Sequence, residues 1–165
     1  MPGVQRPILL LDVDGVISLF GFAEEDPPPG GRFHTVDGVE HHIHDETGRR
    51  LTELAERFEL TWATGWRHKA NEHLPRLLEL ETGELPTVEF TEEPRGGSAI
   101  WKVGGIDRHA GDRPLAWIDD NIDEQVRKWA TRRRAPTLLL PTDAMVGISQ
   151  EHVDELLEWA QRTAA

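Results

Sequence analysis

Asp12 and Asp14 stand one residue apart in Asp12-Val13-Asp14-Gly15-Val16, directly after the apolar run Ile8-Leu9-Leu10-Leu11. Two carboxylates ending a strand that reads as buried put charge where a core strand tolerates none unless it is paired or put to use. The pair reads as the centre of a phosphoryl transfer. Asp12 would be the nucleophile, and Asp14 would protonate the leaving oxygen and later activate water. Gly15 allows the tight backbone turn that brings both carboxylates to a substrate.

Such a transfer also needs a divalent cation against the clustered negative charge, and donors for the phosphoryl oxygens. Apolar residues 60–63 run into Thr64-Gly65, and residues 115–118 run into Asp119-Asp120-Asn121. Thr64 and the Gly65 N–H are expected to bind the phosphoryl oxygens, and Lys102 to neutralise their charge. Mg²⁺ is the expected cation, being hard, oxygen-seeking and inclined to keep waters. Its expected ligands are Asp12, Asp14 through the backbone carbonyl, Asp119 and, more peripherally, Asp120. Without a cation, carboxylates crowded at one strand edge raise each other's pKa. Trp66 and Arg67 follow the Thr-Gly pair and, with Asn71, are placed to face a substrate. Asp119-Asp120-Asn121 also suits a helix N-terminus, so Asp120 or Asn121 is expected to cap a helix over residues 122–131.

The elements that must carry these residues are readable. Residues 7–13 form a continuous apolar run, the pattern of a parallel strand covered on both faces. Similar runs occur at 60–63, 115–118 and 137–140, with a further strand expected over 87–90, and helical patterns separate them. The fold class is therefore an alternating α/β sheet. Leu51, Leu54, Ala55 and Phe58 repeat at helical spacing, as do Val153, Leu156, Leu157 and Ala160. Residues 71–81 read as another helix, stopped by Gly83, with Pro75 better suited to the first turn than the middle. Asp37-Gly38 between two short segments, 32–36 and 39–43, is a hairpin signal. In an open α/β sheet ligands bind beyond the carboxyl ends of the strands, which is where Asp12, Thr64 and Asp119 fall.

Composition narrows the remaining possibilities. A chain of 165 residues suits one domain, 1–165. A formal net charge of −12 disfavours extended nucleic-acid binding, and Arg132-Arg133-Arg134 reads as cations at a helix end. No apolar run is long enough for a bilayer, and there is no cysteine, so a cytoplasmic protein without membrane contact is expected. His34, His41, His42 and His44 cluster in the hairpin. Transition-metal binding or pH sensing is open to them, but their irregular spacing favours an exposed hairpin.

Taken in order, these motifs resemble those of the haloacid dehalogenase superfamily of aspartate-dependent phosphatases and phosphotransferases. Leu10-Leu11-Asp12-Val13-Asp14-Gly15-Val16 is similar to its first motif and Leu60-Thr61-Trp62-Ala63-Thr64-Gly65 to its second. Lys102 fits the third, with Arg95 and Arg108 as nearby basic alternatives, and Ala116-Trp117-Ile118-Asp119-Asp120 fits the fourth. The resemblance implies a doubly wound, Rossmann-like parallel sheet of strand order 5-4-1-2-3 and a phosphoaspartate intermediate on Asp12. It also implies a small capless member whose only insertion is a flap over residues 17–45. An open site of that kind goes with macromolecular substrates or with capping by a partner subunit.

The expected activity is Mg²⁺-dependent hydrolysis of phosphate monoesters, on a phosphorylated small molecule or a macromolecular phosphate end. A phosphotransferase, or a phosphate- and metal-binding regulatory module without turnover, are the alternatives. Receiver domains of two-component signalling are similar in residue types, but their phosphoacceptor lies on a different strand from the acidic pair.

Overall fold

β1 (Ile8–Leu11) runs through the middle of a parallel sheet, flanked by β4 (Glu59–Trp62) on one side and β5 (Leu115–Asp119) on the other. β6 (Thr137–Pro141) pairs with β5 and completes the order β4-β1-β5-β6. The structure is a computed structural model, described over residues 5–164.

All four residues of β1 are fully buried, which explains its unbroken apolar run. Leu9 and Leu11 share one core with Leu51 and Leu54 of α1 (Thr47–Leu54), Ala70 and Leu74 of α2 (Lys69–Leu77), and Val153 and Leu156 of α5 (Gln150–Ala164). Ile8 and Leu10 point the other way, toward Ile106 of α3 (Val103–Ala110) and Val126 of α4 (Glu124–Arg132). The two-residue period of a strand thus splits one apolar run between two helical layers. Among the described residues no helix is long and apolar enough to cross a membrane.

The five-stranded order 5-4-1-2-3 is not what the structure contains: the sheet has four strands. Residues 87–90 make only a single parallel bridge, Thr87 beside Trp62, through Trp62 N–H to Pro86 O (2.8 Å) and Val88 N–H to Trp62 O (2.9 Å). β4 ends at Trp62 and the chain then turns through residues 64–67, leaving no neighbour to extend the ladder. The Phe90 carbonyl accepts instead from the Arg67 guanidinium at 2.8 Å.

Two helix boundaries also differ from expectation. α2 ends at Leu77, well before Gly83, and Glu79 just beyond its cap takes a left-handed φ of 53°. Leu80 N–H then reaches Pro75 O (2.9 Å) and Glu79 N–H reaches Arg76 O (3.2 Å), satisfying the last carbonyls. Pro75 lies well inside the helix rather than in its first turn. α4 is capped by Asp123, whose carboxylate accepts Val126 N–H at 3.1 Å, and not by Asp120 or Asn121. Asn121 N–H is already taken by Asp119 Oδ1 at 2.9 Å, so the chain closes one turn before the helix begins.

β2 (Gly31–Val36) and β3 (Val39–His44) form the expected antiparallel hairpin. Asp37 and Gly38 both take positive φ (50° and 79°), the requirement of a tight two-residue hairpin turn. The hairpin is tied to the body by Leu19 N–H to His42 O (2.8 Å) and by Asp37 to Lys69 of α2 (2.5 Å). His42 is buried between Phe22 and Phe33, with ring centroids 5.3 and 5.1 Å away. Among the described residues no hairpin histidine joins a group of three metal-ligating side chains.

Candidate active site

Asp12 continues β1 by one step, its N–H donating to Ile118 O at 3.2 Å, and its side chain is held back on the chain by Val13 N–H to Oδ1 (2.8 Å). Lys102 enters from a short 3₁₀ turn (Ile100–Lys102) at the head of α3. That turn is pinned beside the end of β5 by Ala99 N–H to Asn121 O at 2.9 Å. Lys102 Nζ then lies 2.7 Å from Asp119 Oδ2, 3.2 Å from Asp12 Oδ1 and 2.9 Å from Ala63 O.

The contacts to Asp119 and Ala63 are hydrogen bonds, and that to Asp12 is an ion pair. Lys102 thus bridges Asp12 and Asp119 and sets their spacing. Arg95 is exposed and Arg108 pairs with Glu92 at the surface (3.1 Å), so neither substitutes for it. Asp12 Oδ2 receives no hydrogen bond from the described residues.

Asp12, Asp119 and Asp120 each offer a carboxylate oxygen, and these oxygens lie within 4.8 Å of one another. One buried ammonium does not balance them. Burial pushes Asp12 up to about 8 against the pull of Lys102, and Asp119 and Asp120 add to the rise. Asp120 is pushed up to about 6, by burial and then by Asp119. Burial works against the charge of Lys102, but Asp12 and Asp119 more than reverse this and hold its pKa above the usual lysine range. A hard divalent cation fits this set of donors and relieves its excess charge.

Asp120 is more central than its sequence position suggests. Gly15 (φ 80°) has its Cα packed on the Asp120 carboxyl group, and a Cβ there would lie 2.5 Å from it. Glycine is thus required both by the backbone angle and by Asp120. Thr142, which the sequence reading passed over, fastens the same region: its hydroxyl donates to Gly15 O (2.7 Å) and its N–H to Asp119 O (3.1 Å). Its signal was its place just beyond the apolar run 137–140, at the same sheet edge as the other polar residues.

The Asp14 side chain is not part of the acidic group. It is exposed, and both carboxylate oxygens accept from the indole N–H of Trp66, at 3.3 and 3.2 Å. Thr64 is buried at the end of β4, and its hydroxyl oxygen accepts Trp66 N–H at 3.1 Å, which leaves its own proton free to donate. Gly65 is exposed with open space around it.

Of the expected substrate contacts, Trp66 faces the site, whereas Arg67 spends one guanidinium nitrogen on the Phe90 carbonyl. Asn71 is structural. It accepts from Trp62 Nε1 (2.9 Å) and Leu85 N (2.9 Å) and donates to Leu85 O (2.7 Å).

A cleft of about 360 Å³ opens beside Asp14 and Gly65, walled by Trp66, His41, Val36 and Lys69. A larger cleft of about 830 Å³ lies between the hairpin, α1 and the end of α2; Asp12, Asp119 and Asp120 line neither cleft, but Asp14, Gly65 and Trp66 line the smaller one and none of them lines the larger. In comparisons with known proteins, no family model matches the chain and no curated protein matches it.

Proposed function

We propose that this chain is a Mg²⁺-dependent phosphate monoester hydrolase of the haloacid dehalogenase type, working through a phosphoryl group carried on Asp12. The observation that carries this reading is Lys102 Nζ seated between Asp12 and Asp119, with Asp12 Oδ2 receiving no hydrogen bond from the described residues.

In this mechanism Asp12 Oδ2 attacks phosphorus while the ester P–O bond breaks and Asp14 gives its proton to the leaving oxygen. The Thr64 hydroxyl and the Gly65 N–H donate to the phosphoryl oxygens. A water molecule, deprotonated by Asp14, then attacks phosphorus and frees Asp12. Asp12, Asp119 and Asp120 would hold the cation, which when bound offsets their charge and that of the phosphoryl group and keeps Asp12 ionised. The Asp14 side chain stands outside the Asp12, Asp119 and Asp120 group, as a group that must trade protons should, while its backbone carbonyl would remain a ligand of the cation.

The leaving group would occupy the cleft beside Asp14, with the β2–β3 hairpin along one side and Trp66 and Lys69 along the other. Such a site suits a phosphorylated small molecule or the phosphate end of a larger one. The test is a panel of phosphate monoesters assayed with Mg²⁺ and with chelator. Turnover should need the cation, and Asp12→Asn should lose it by about a thousandfold or more. Full activity of Asp12→Asn would sink the proposal.

A further inference from the structure

Asp14 is exposed and lies outside the Lys102 cluster, so nothing in that cluster orients it. A proton donor must nevertheless meet the leaving oxygen within hydrogen-bond distance. We propose that Trp66 is a positioning residue for Asp14, braced by His41 of the hairpin, and this role presupposes the phosphatase reading above.

The indole N–H lies 3.3 and 3.2 Å from the two Asp14 oxygens, so it restrains the whole carboxylate. Trp66 is itself held on two sides. Its backbone N–H donates to the Thr64 hydroxyl (3.1 Å), and the His41 ring packs against the indole with centroids 4.9 Å apart, tilted by 60°. His41 Nδ1 lies 2.8 Å from Ser18 Oγ. Ser18 belongs to the loop that carries Asp14: its N–H donates to Val13 O (3.0 Å) and its carbonyl accepts Gly15 N–H (2.8 Å).

The contacts therefore form a closed circuit from Asp14 through Trp66, His41 and Ser18 to Gly15, the next residue after Asp14. The hairpin tip is secured independently, by Asp37 to Lys69. A hairpin in place thus holds the proton donor in place.

The chemical consequence is selective. As the Asp12 oxygen bonds to phosphorus and the ester P–O bond breaks, its electron pair stays on the leaving oxygen, which takes the proton from Asp14. In the second step the water oxygen bonds to phosphorus, the bond to Asp12 breaks, and the water proton returns to Asp14. An alkoxide leaving group needs that first proton, whereas a nitrophenolate leaves almost without it.

The experiment is Trp66→Phe, which keeps a ring and removes the N–H, assayed with Mg²⁺ on an alkyl phosphate and on para-nitrophenyl phosphate. The ratio of alkyl to aryl kcat/KM, which reports the first step and not the shared hydrolysis of the phosphoryl group on Asp12, should fall by about tenfold. Equal losses on both esters would reveal a merely structural role and overturn the proposal. The contact itself has a readout free of turnover. The indole N–H resonance of Trp66, identified by its disappearance in Trp66→Phe, should shift upfield in Asp14→Ala and in His41→Ala. A resonance that stays put in Asp14→Ala overturns the proposal whatever the kinetics. A wild-type protein that hydrolyses neither ester removes the phosphatase reading, and with it the acid role of Asp14, while the shift would still establish the contact.

Discussion

Lys102 and Asp119 are joined by a fully buried ion pair, Nζ to Oδ2 at 2.7 Å, and the same ammonium reaches Asp12 Oδ1 at 3.2 Å. A cation with no solvent around it, shared by carboxylates from the ends of two neighbouring strands, is costly to leave incomplete. Lys102→Ala removes the positive partner and leaves those carboxylates buried without a counter-charge. The expected loss is about 3 to 5 kcal/mol of unfolding free energy, read by urea denaturation, with phosphatase turnover lost as well. A variant as stable as the parent would show that the pair does not hold the site together.

Gly15→Ala tests the packing of the first loop against Asp120. The substitution meets both a positive φ of 80° and the Asp120 carboxyl group 2.5 Å from the new Cβ. Destabilisation of at least about 1 kcal/mol is expected, together with weaker Mg²⁺ binding in a calorimetric titration. Mg²⁺ affinity equal to that of the parent would contradict the placement of Asp120 against this loop.

The separation of Asp14 from the acidic group predicts unequal effects on the cation. Asp120→Asn is expected to weaken Mg²⁺ binding by about ten- to a hundredfold, because it removes charge from one of the three converging carboxylates. Asp14→Asn, whose side chain meets Trp66 instead, should alter affinity by less than about threefold. Calorimetry of the two variants decides this, and the reverse ranking would contradict the assignment.

Protonation and cation binding should compete. Asp12 and Asp120 hold their protons to about pH 8 and about pH 6, well above the ordinary 3.8 of the unfolded chain. The unfolded chain therefore releases these protons first as pH rises. Without a cation, the stability contributed by these groups falls from about pH 4 toward about pH 8. Mg²⁺ displaces the same protons, so its effect on Tm should be larger near pH 8 than near pH 6. A Mg²⁺-induced shift that is constant over this range would count against Asp12 and Asp120 as ligands.

Much of this arrangement is legible in the chain before any coordinates. β1 announces itself because burial on both faces permits only apolar residues, and the Asp37-Gly38 turn because few pairs accept positive φ twice. The placement of Asp12, Thr64 and Asp119 follows from strand ends meeting at one sheet edge, whereas Lys102 arrives from the turn before α3. Residues 87–90 mislead because their alternating apolar pattern, with Val88 and Phe90 buried, is a strand pattern that lacks a neighbour to pair with. The early stop of α2 was hidden because a left-handed Glu79 carries no glycine signature.

The ion pairs of Lys102 could not be read from its type alone, since they depend on how the turn before α3 seats it between Asp12 and Asp119. The links from Trp66 to Asp14 and from His41 to Ser18 join three separate segments by side-chain contact, which no local pattern encodes.

The most direct test of the account is mass spectrometry of the Asp14→Asn protein after incubation with Mg²⁺ and para-nitrophenyl phosphate. The second step should be slowed, so a hydroxylamine-labile phosphoryl group should accumulate on the peptide containing Asp12 and be absent from Asp12→Asn. Turnover by the wild-type protein with no phosphoryl group on Asp12, or with one on any other residue, would contradict it.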